Sequence, residues 1–542
     1  MEEPVIAPEF DPIGKSAIFQ YLGSTSIVVG GALFYIFLIE HLTKNNVGAV
    51  NLMTAILGLF SIIMSLGFGP GLQHFISYYK ARGDYGTVRA ILRKFLLITV
   101  ILGILSSLLM YTISPFIVDF FFTSSTSSFA SNVELVRLLS VVAFAFVMNS
   151  ILVNFLYGLQ KFTVAGLITT SGAVLNFGVP SVLVLLYGGI TVIVVSWIFT
   201  YSITSAVYLV LISRYMRKMG NSDKKTFDIR AMISYSVPIL ISNMMSFGAI
   251  YADRLTVAHL ISQSVFAVYS LALLITSTVG FFIGPINSLA LPKFSQYLST
   301  AGREAIRRGV GIANNMVSFI YVPIAMLVSA LSPLLIAIIQ PTYESAFPAV
   351  IIILTATSIF VTVNVLGQAI SGIRMTRVLA FSSAFSLASN VILSVILIPR
   401  FQIIGAAIAY SSIYAVSFVI VYYYARMFGI SCHNVKTLSK IWVSAILVFT
   451  VAFMMHTYLF SGSLPVLQTG LSGKMYGLFQ AVVISVVSLT VYFISIRLTS
   501  TLKESDLEML FSIMPKWLTV LKPLAIWALI RSSRRERSDT GY

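Results

Sequence analysis

The sequence predicts an all-α polytopic membrane protein: about fourteen transmembrane helices in two pseudo-symmetric six-helix lobes plus two extra helices, with both termini cytoplasmic. Three observations carry this. Of 542 residues, 58% are hydrophobic and only 10% charged, against about 25% charged in soluble domains. A long block recurs: Ser24, Gly30, Leu42, Val47, Tyr79, Ser114 and Pro115 reappear as Ser242, Gly248, Leu260, Val265, Tyr297, Ser332 and Pro333, each 218 residues on. Lys and Arg, finally, crowd alternate connections between the apolar runs.

Crossing the hydrocarbon core takes about 20 apolar residues. In chain order the expected spans are 17–39, 47–69, 95–120, 134–157, 163–186 and 190–213; then 231–257, 265–289, 312–339, 347–371, 378–398 and 403–425; then 439–460 and 475–496. The first six form an N-terminal lobe, 17–213, behind a short cytoplasmic segment, 1–16. A basic linker, 214–230, leads to a C-terminal lobe, 231–425, and the last two spans, within 439–496, lie outside the repeat. The repeat spacing drops to 214 at Gly158/Gly372 and Asn176/Asn390, because the first copy has a longer Ser/Thr loop, Phe122–Asn132 against Gln340–Ala346. Beyond residue 502, Ser505 and Glu508 have capping-box spacing, and a proline-interrupted apolar run ends in Arg531, Arg534, Arg535 and Arg537. This predicts an amphipathic helix on the membrane surface with a basic tail, 502–542.

Orientation follows from the basic residues. Of the 35 Lys and Arg, the even-numbered connections hold 21 and the odd-numbered ones only Lys44, Arg400 and Lys474. Basic loops stay in the cytoplasm, so the alternation sets both termini inside and supports the span count, since one missed helix would scramble it. The net charge of +17 is then a topological signal plus attraction to anionic lipid head groups. It does not imply nucleic acid, because the cations are spread over loops at a membrane face.

Chemistry is sparse. The five His residues are scattered, Cys432 is alone, and no metal-ligand cluster, nucleotide loop or catalytic triad is present. No enzyme activity, cofactor or metal is expected. No connection is long enough for a nucleotide-hydrolysing domain, so uphill movement of a substrate would need an ion gradient or the substrate's own gradient. Charges inside the membrane are costly and are the first site candidates. Asp253 and Arg254 lie in the outer half of span seven; as helix neighbours about 100° apart they should take different partners. Arg254 facing a cavity would bind an anionic head group, whereas snorkelling to the interface is the bland reading. Arg137 opens span four, where Glu134 at i−3 suits a local ion pair. His74, beside Tyr78 and Tyr79, is an interfacial anchor or, with Arg307 and Arg308, part of a basic funnel. Asn176 and Asn390 sit mid-span at matching places; interhelical hydrogen bonding is the ordinary reason, lining of a hydrated cavity the functional one.

These residues also carry a resemblance. Phe19–Lys94 resembles the opening of the polysaccharide (lipid-linked oligosaccharide) flippases, Wzx-like members of the multidrug/oligosaccharidyl-lipid/polysaccharide exporter superfamily, including the segment Gly67-Phe68-Gly69-Pro70-Gly71. Tyr251-Ala252-Asp253-Arg254-Leu255 followed by Val265 to Ala272 resembles the family's second-half pattern, with Phe266 where Gly is expected. Ser332-Pro333, the run Pro341 to Ala346, and Gly372-Ile373-Arg374 resemble its later span exits. The resemblance covers about residues 15–500. It implies alternating-access export of an anionic oligosaccharide, linked to a polyprenyl or dolichyl phosphate or pyrophosphate, across the cytoplasmic membrane. It implies a phosphate-binding role for Arg254, with Arg137 second. The expected partners are that lipid-linked substrate, membrane lipids and a coupling ion, Na⁺ or H⁺, with a monomer as the working unit. The alternative is an ion-coupled multidrug or small-molecule antiporter of the same superfamily. That reading wants carboxylates deep in a lobe, where this sequence offers cations.

Overall fold

The computed structural model describes residues 13–122, 133–218, 226–280, 302–373, 375, 377–430, 435–459 and 471–501. Among these residues every regular element is helical. The expected amphipathic tail, 502–542, lies outside them, as does the Ser/Thr loop at 123–132. Residues 1–267 form one compact unit and 268–542 another, the division falling within a helix.

In the first unit the helices are α1 (Ile13–His41), α2 (Lys44–Met64), α3 (Phe68–Ala81), α4 (Tyr85–Phe122), α5 (Val133–Gly158), α6 (Phe162–Tyr187), α7 (Thr191–Lys218) and α8 (Ile229–Leu260). The next helix, α9 (Gln263–Gly280), crosses the division. Polar residues set the starts: Thr43 Oγ1 accepts the Asn46 amide at α2, Asp84 Oδ1 the Thr87 amide at α4 (3.0 Å), and Asp228 the Arg230 amide at α8 (2.9 Å). Each satisfies a donor that the first helical turn leaves open.

The sequence suggests that span two runs on into its glycine-rich exit. The structure instead breaks the chain there. Leu66 and Gly67 adopt positive φ (47° and 69°), and α3 starts afresh at Phe68. The glycines let α3 lie close to its neighbours. A Cβ on Gly67 would sit 2.4 Å from the Ser236 carbonyl of α8, and one on Gly71 would meet the Met232 sulfur at 2.5 Å. The core between α3, α4 and α5 is built from Leu72, Ile76, Ile91, Phe95, Leu152 and Phe155, all buried. Phe227, just before α8, inserts against Phe75, Tyr79 and Phe95 with ring centroids 5.2–6.3 Å apart. Two lysines finish this end: Lys80 Nζ donates to the Leu159 carbonyl past the end of α5 (2.7 Å), and Lys94 Nζ to the Phe227 carbonyl (3.1 Å). Lys80 thereby satisfies a carbonyl at a helix C-terminus.

At the other end of α2 and α4, the turn joining α8 to α9 is gripped from several sides. His259 stacks on Phe120 at 3.9 Å and its Nδ1 meets the Phe120 carbonyl (2.6 Å). Gln263 Nε2 donates to the Phe121 carbonyl (2.6 Å), Ser264 bonds Asn45, and Tyr35 donates to the Ala267 carbonyl (2.6 Å). Gly48 makes this possible, since a Cβ there would lie 2.0 Å from the Gln263 carbonyl oxygen. Because α8 also packs on α2, α3 and α4, the packing division falls after it, whereas the sequence repeat begins before it.

The second unit continues with α10 (Gly302–Ile339), a 3₁₀ turn (Pro341–Ala346), α11 (Phe347–Phe360), α12 (Thr362–Gly372), α13 (Arg377–Met427), α14 (Val435–Met454) and α15 (Leu471–Leu498). Thirteen helices among the described residues are long and apolar enough to cross a membrane. One of them, α13, has 51 residues and a non-helical Gln402 (φ 47°, ψ −119°) three residues after Pro399. At about 1.5 Å per residue it is more than twice the hydrocarbon thickness. It is therefore two spans, which brings the count to fourteen. A serine ladder, Ser386–Ser417 (3.0 Å) and Ser389–Ser412 (2.9 Å), holds its halves together. The helices after the repeat, α14 and α15, bury Ile441, Ala445, Val448 and Ile484 against α10, and Tyr492 donates to the Phe319 carbonyl (2.9 Å).

Candidate functional site

The expected site residues divide among several places. Asp253 and Arg254 lie on α8 about two turns from its C-terminal end. Asp253 is fully buried, while Arg254 is half-buried with its guanidinium 4.5 Å from the Tyr251 ring centre. Tyr251 itself stacks on Phe247 at 4.2 Å. Tyr251 thus supplies a cation–π face to a charge that lipid would not tolerate. Arg137, one turn into α5, lies over Tyr111 of α4 at 5.1 Å. Among the described residues no ion pair joins it to Glu134: at the start of α5 the carboxylate is exposed, and the guanidinium turns to the aromatic ring of the adjacent helix.

His74 lies on α3, stacked on Tyr235 of α8 at 4.9 Å and near Tyr78 at 6.2 Å. Arg307 and Arg308, the other parts of the expected funnel, are exposed and lie 3.6 Å from Glu304 of their own helix.

Asn176 is buried mid-way along α6, and the Trp197 indole donates to its backbone carbonyl (3.1 Å). Its side chain lines a cavity of about 370 Å³ within the first unit, walled by α1, α5, α6 and α7. Asn390, its repeat partner, is fully buried in α13 and accepts from Ser394 at 3.0 Å. Asn154 accepts from Gln73 Nε2 at 2.6 Å, which ties α3 to α5. A second cavity, about 360 Å³, lies in the second unit and is lined by Tyr321, Thr357, Asn364, Tyr410 and Tyr414 among others. Sequence reading singled out Asn176 but passed over Asn149, Tyr201 and Tyr208, which share its cavity. Asn149 was the findable one, being an amide in the middle of an apolar span.

A bundle of this kind, with fourteen spans and its cations seated on aromatic faces inside apolar helices, defines a multi-pass membrane protein of the transporter class. The chain belongs to the family described as "Polysaccharide biosynthesis protein", which matches residues 41–342. It is 23% identical over 379 residues to an uncharacterized membrane protein of Methanocaldococcus jannaschii, an alignment covering 66% of this chain and 74% of that protein. It is 24% identical over 216 residues to the probable low-salt glycan biosynthesis flippase Agl15 of Haloferax volcanii, covering 39% of this chain and 46% of that one. Among solved structures, the lipid II flippase MurJ in an inward closed conformation superposes with a TM-score of 0.65 at 13% identity, over 88% of this chain and 99% of MurJ. An inward-facing multidrug resistance MATE transporter of the MOP superfamily superposes at 0.62 with 17% identity, over 78% and 96%. The fold is that of this superfamily.

Proposed function

We propose that the protein is a flippase that carries an anionic lipid-linked oligosaccharide, on a polyprenyl or dolichyl phosphate or pyrophosphate, across the cytoplasmic membrane by alternating access. The observation that carries this reading is Arg254: a half-buried cation on a membrane-spanning helix, backed by Tyr251, in a chain of the polysaccharide biosynthesis family. A half-buried guanidinium held on an aromatic ring suits a lipid phosphate through paired, charge-assisted hydrogen bonds. Arg137, similarly held on Tyr111, is the second such cation. The glycan would cross in the hydrated interior while the isoprenoid tail stays in lipid. Both termini face the cytoplasm in this reading, so the end of the bundle where α1 meets α2 faces outward.

The test is Arg254→Ala in a cell that depends on this gene for surface glycan. The expected result is loss of surface glycan with lipid-linked glycan accumulating on the cytoplasmic leaflet at normal protein level. Undiminished export at normal protein level would overturn the assignment. An antiporter of the same fold would instead show drug or cation efflux without a glycan defect.

A further inference from the structure

We propose that the cavity inside the first unit is a seat for a neutral sugar ring. The proposal rests on the flippase reading for its biological setting and on the cavity itself for its chemistry. The cavity holds about 370 Å³ and no charged side chain lines it. Its polar groups are amides and hydroxyls, and its walls are mostly apolar with aromatic rings among them, including Phe177, Tyr201 and Tyr208. Pockets that bind small molecules are built this way, from apolar and aromatic walls with a few placed polar groups.

Two of the lining side chains, Asn149 and Asn176, carry a buried acceptor to spare. The two N–H groups of the Asn149 amide are shared among the Ala145 carbonyl (3.0 Å), the Tyr201 carbonyl (2.9 Å) and Ser205 Oγ (3.0 Å). Since carbonyls can only accept, these bonds fix which way the amide points. Asn149 Oδ1 is then buried with no hydrogen-bond partner among the described residues, and so is Asn176 Oδ1. Asn176 is more than nine-tenths buried. Burying unmatched acceptors is costly, so the cavity calls for a guest that donates hydrogen bonds. The Thr169 hydroxyl donates to the Ala165 carbonyl (2.9 Å) and lies 3.4 Å from the Tyr208 hydroxyl, so the Tyr208 proton can go to Thr169 or to a guest.

The guest's class follows from what is missing from the lining. A metal or organic cation would want a carboxylate, and an unpaired charge in a membrane interior is strongly disfavoured. An anion would find no cation among the lining residues. A ring bearing several hydroxyls and presenting C–H faces matches the spare acceptors, the aromatic walls and the volume together. A pyranose residue of the transported glycan has this chemistry.

The test uses the full-length protein in lipid nanodiscs and saturation-transfer NMR with a panel of methyl hexopyranosides, a methyl glucuronide and NaCl as competitors. The expected result is saturation transfer to at least one neutral methyl glycoside, not displaced by NaCl. Asn176→Leu and Tyr208→Phe should each weaken it by about fivefold, the worth of one hydrogen bond. Arg254→Ala should keep it while losing lipid flipping, so failure of the flippase reading and failure of the cavity assignment are read separately. Absence of transfer to any neutral glycoside, equal transfer in both cavity variants, or displacement by Na⁺ alone would overturn the proposal. Tyr208→Phe guards against a folding failure of Asn176→Leu, since it removes a single hydroxyl oxygen.

Discussion

Replacing Gly48 with alanine is the sharpest test of the latch between α2 and the α8–α9 turn. The added Cβ would lie 2.0 Å from the Gln263 carbonyl oxygen and 2.7 Å from its carbon. Both are backbone atoms, so no side-chain rotation relieves the clash. Restoring ordinary contact at 3.4 Å or more requires the turn and α2 to part by over an ångström. The Gln263–Phe121 bond, at 2.6 Å, does not survive such a shift, and the Ser264–Asn45 bond moves with it. Overpacking costs about 1–3 kcal/mol and each lost bond about 1 kcal/mol, giving roughly 3 kcal/mol or more against this packing of the turn on α2. The assay is disulfide formation between Asn45→Cys and Ser264→Cys in a Cys432→Ser background, with and without Gly48→Ala, alongside thermal unfolding. Gly178→Ala is the control, because nothing lies within 4 Å of its added Cβ and alanine favours a helix. Cross-linking should fall sharply with Gly48→Ala and stay unchanged with the control. Equal cross-linking and equal unfolding temperature in both would refute the argument.

Other expectations follow from the same kind of reading. Gly67→Ala forces a side chain into positive φ and to within 2.4 Å of the Ser236 carbonyl, so it should lower thermal stability more than Gly178→Ala in the same melt. Trp197→Phe removes a buried indole donor 3.1 Å from the Asn176 carbonyl and should cost about 1 kcal/mol in denaturant titration. Tyr492→Phe removes the tie from α15 to α10; it should cost a similar amount and increase protease sensitivity at the C-terminal helices.

Most of the architecture was legible because a membrane imposes strong rules. Span length and the alternation of basic loops are nearly one-dimensional signals, and the fourteen spans, including the pair within α13, follow from them. Close packing was less legible. Gly67, Gly69 and Gly71 read as the glycine-rich end of span two, yet they mark a helix break and a close approach between α3 and its neighbours. That needs the position of α8, which local sequence does not encode. The candidate site was legible in kind and scattered in place. Arg254 and Arg137 were found because charges in apolar spans stand out, but their aromatic partners, Tyr251 and Tyr111, are ordinary residues until the helices are assembled. Asn149 was missed for a related reason: its repeat partner is Val363, so the duplication that pointed to Asn176 gave no hint of it.

The central claim is that Arg254 holds the phosphate of a lipid-linked substrate. The direct measurement is flipping of a short-chain polyprenyl-phosphate-linked saccharide in proteoliposomes containing the purified chain, its Arg254→Ala variant and its Arg254→Lys variant. Loss of a charge-assisted contact predicts a fall of about tenfold or more for alanine, with lysine in between, since it keeps the charge but not the bidentate fork. An Arg254→Ala protein that is folded and flips the substrate at the unaltered rate would contradict the account.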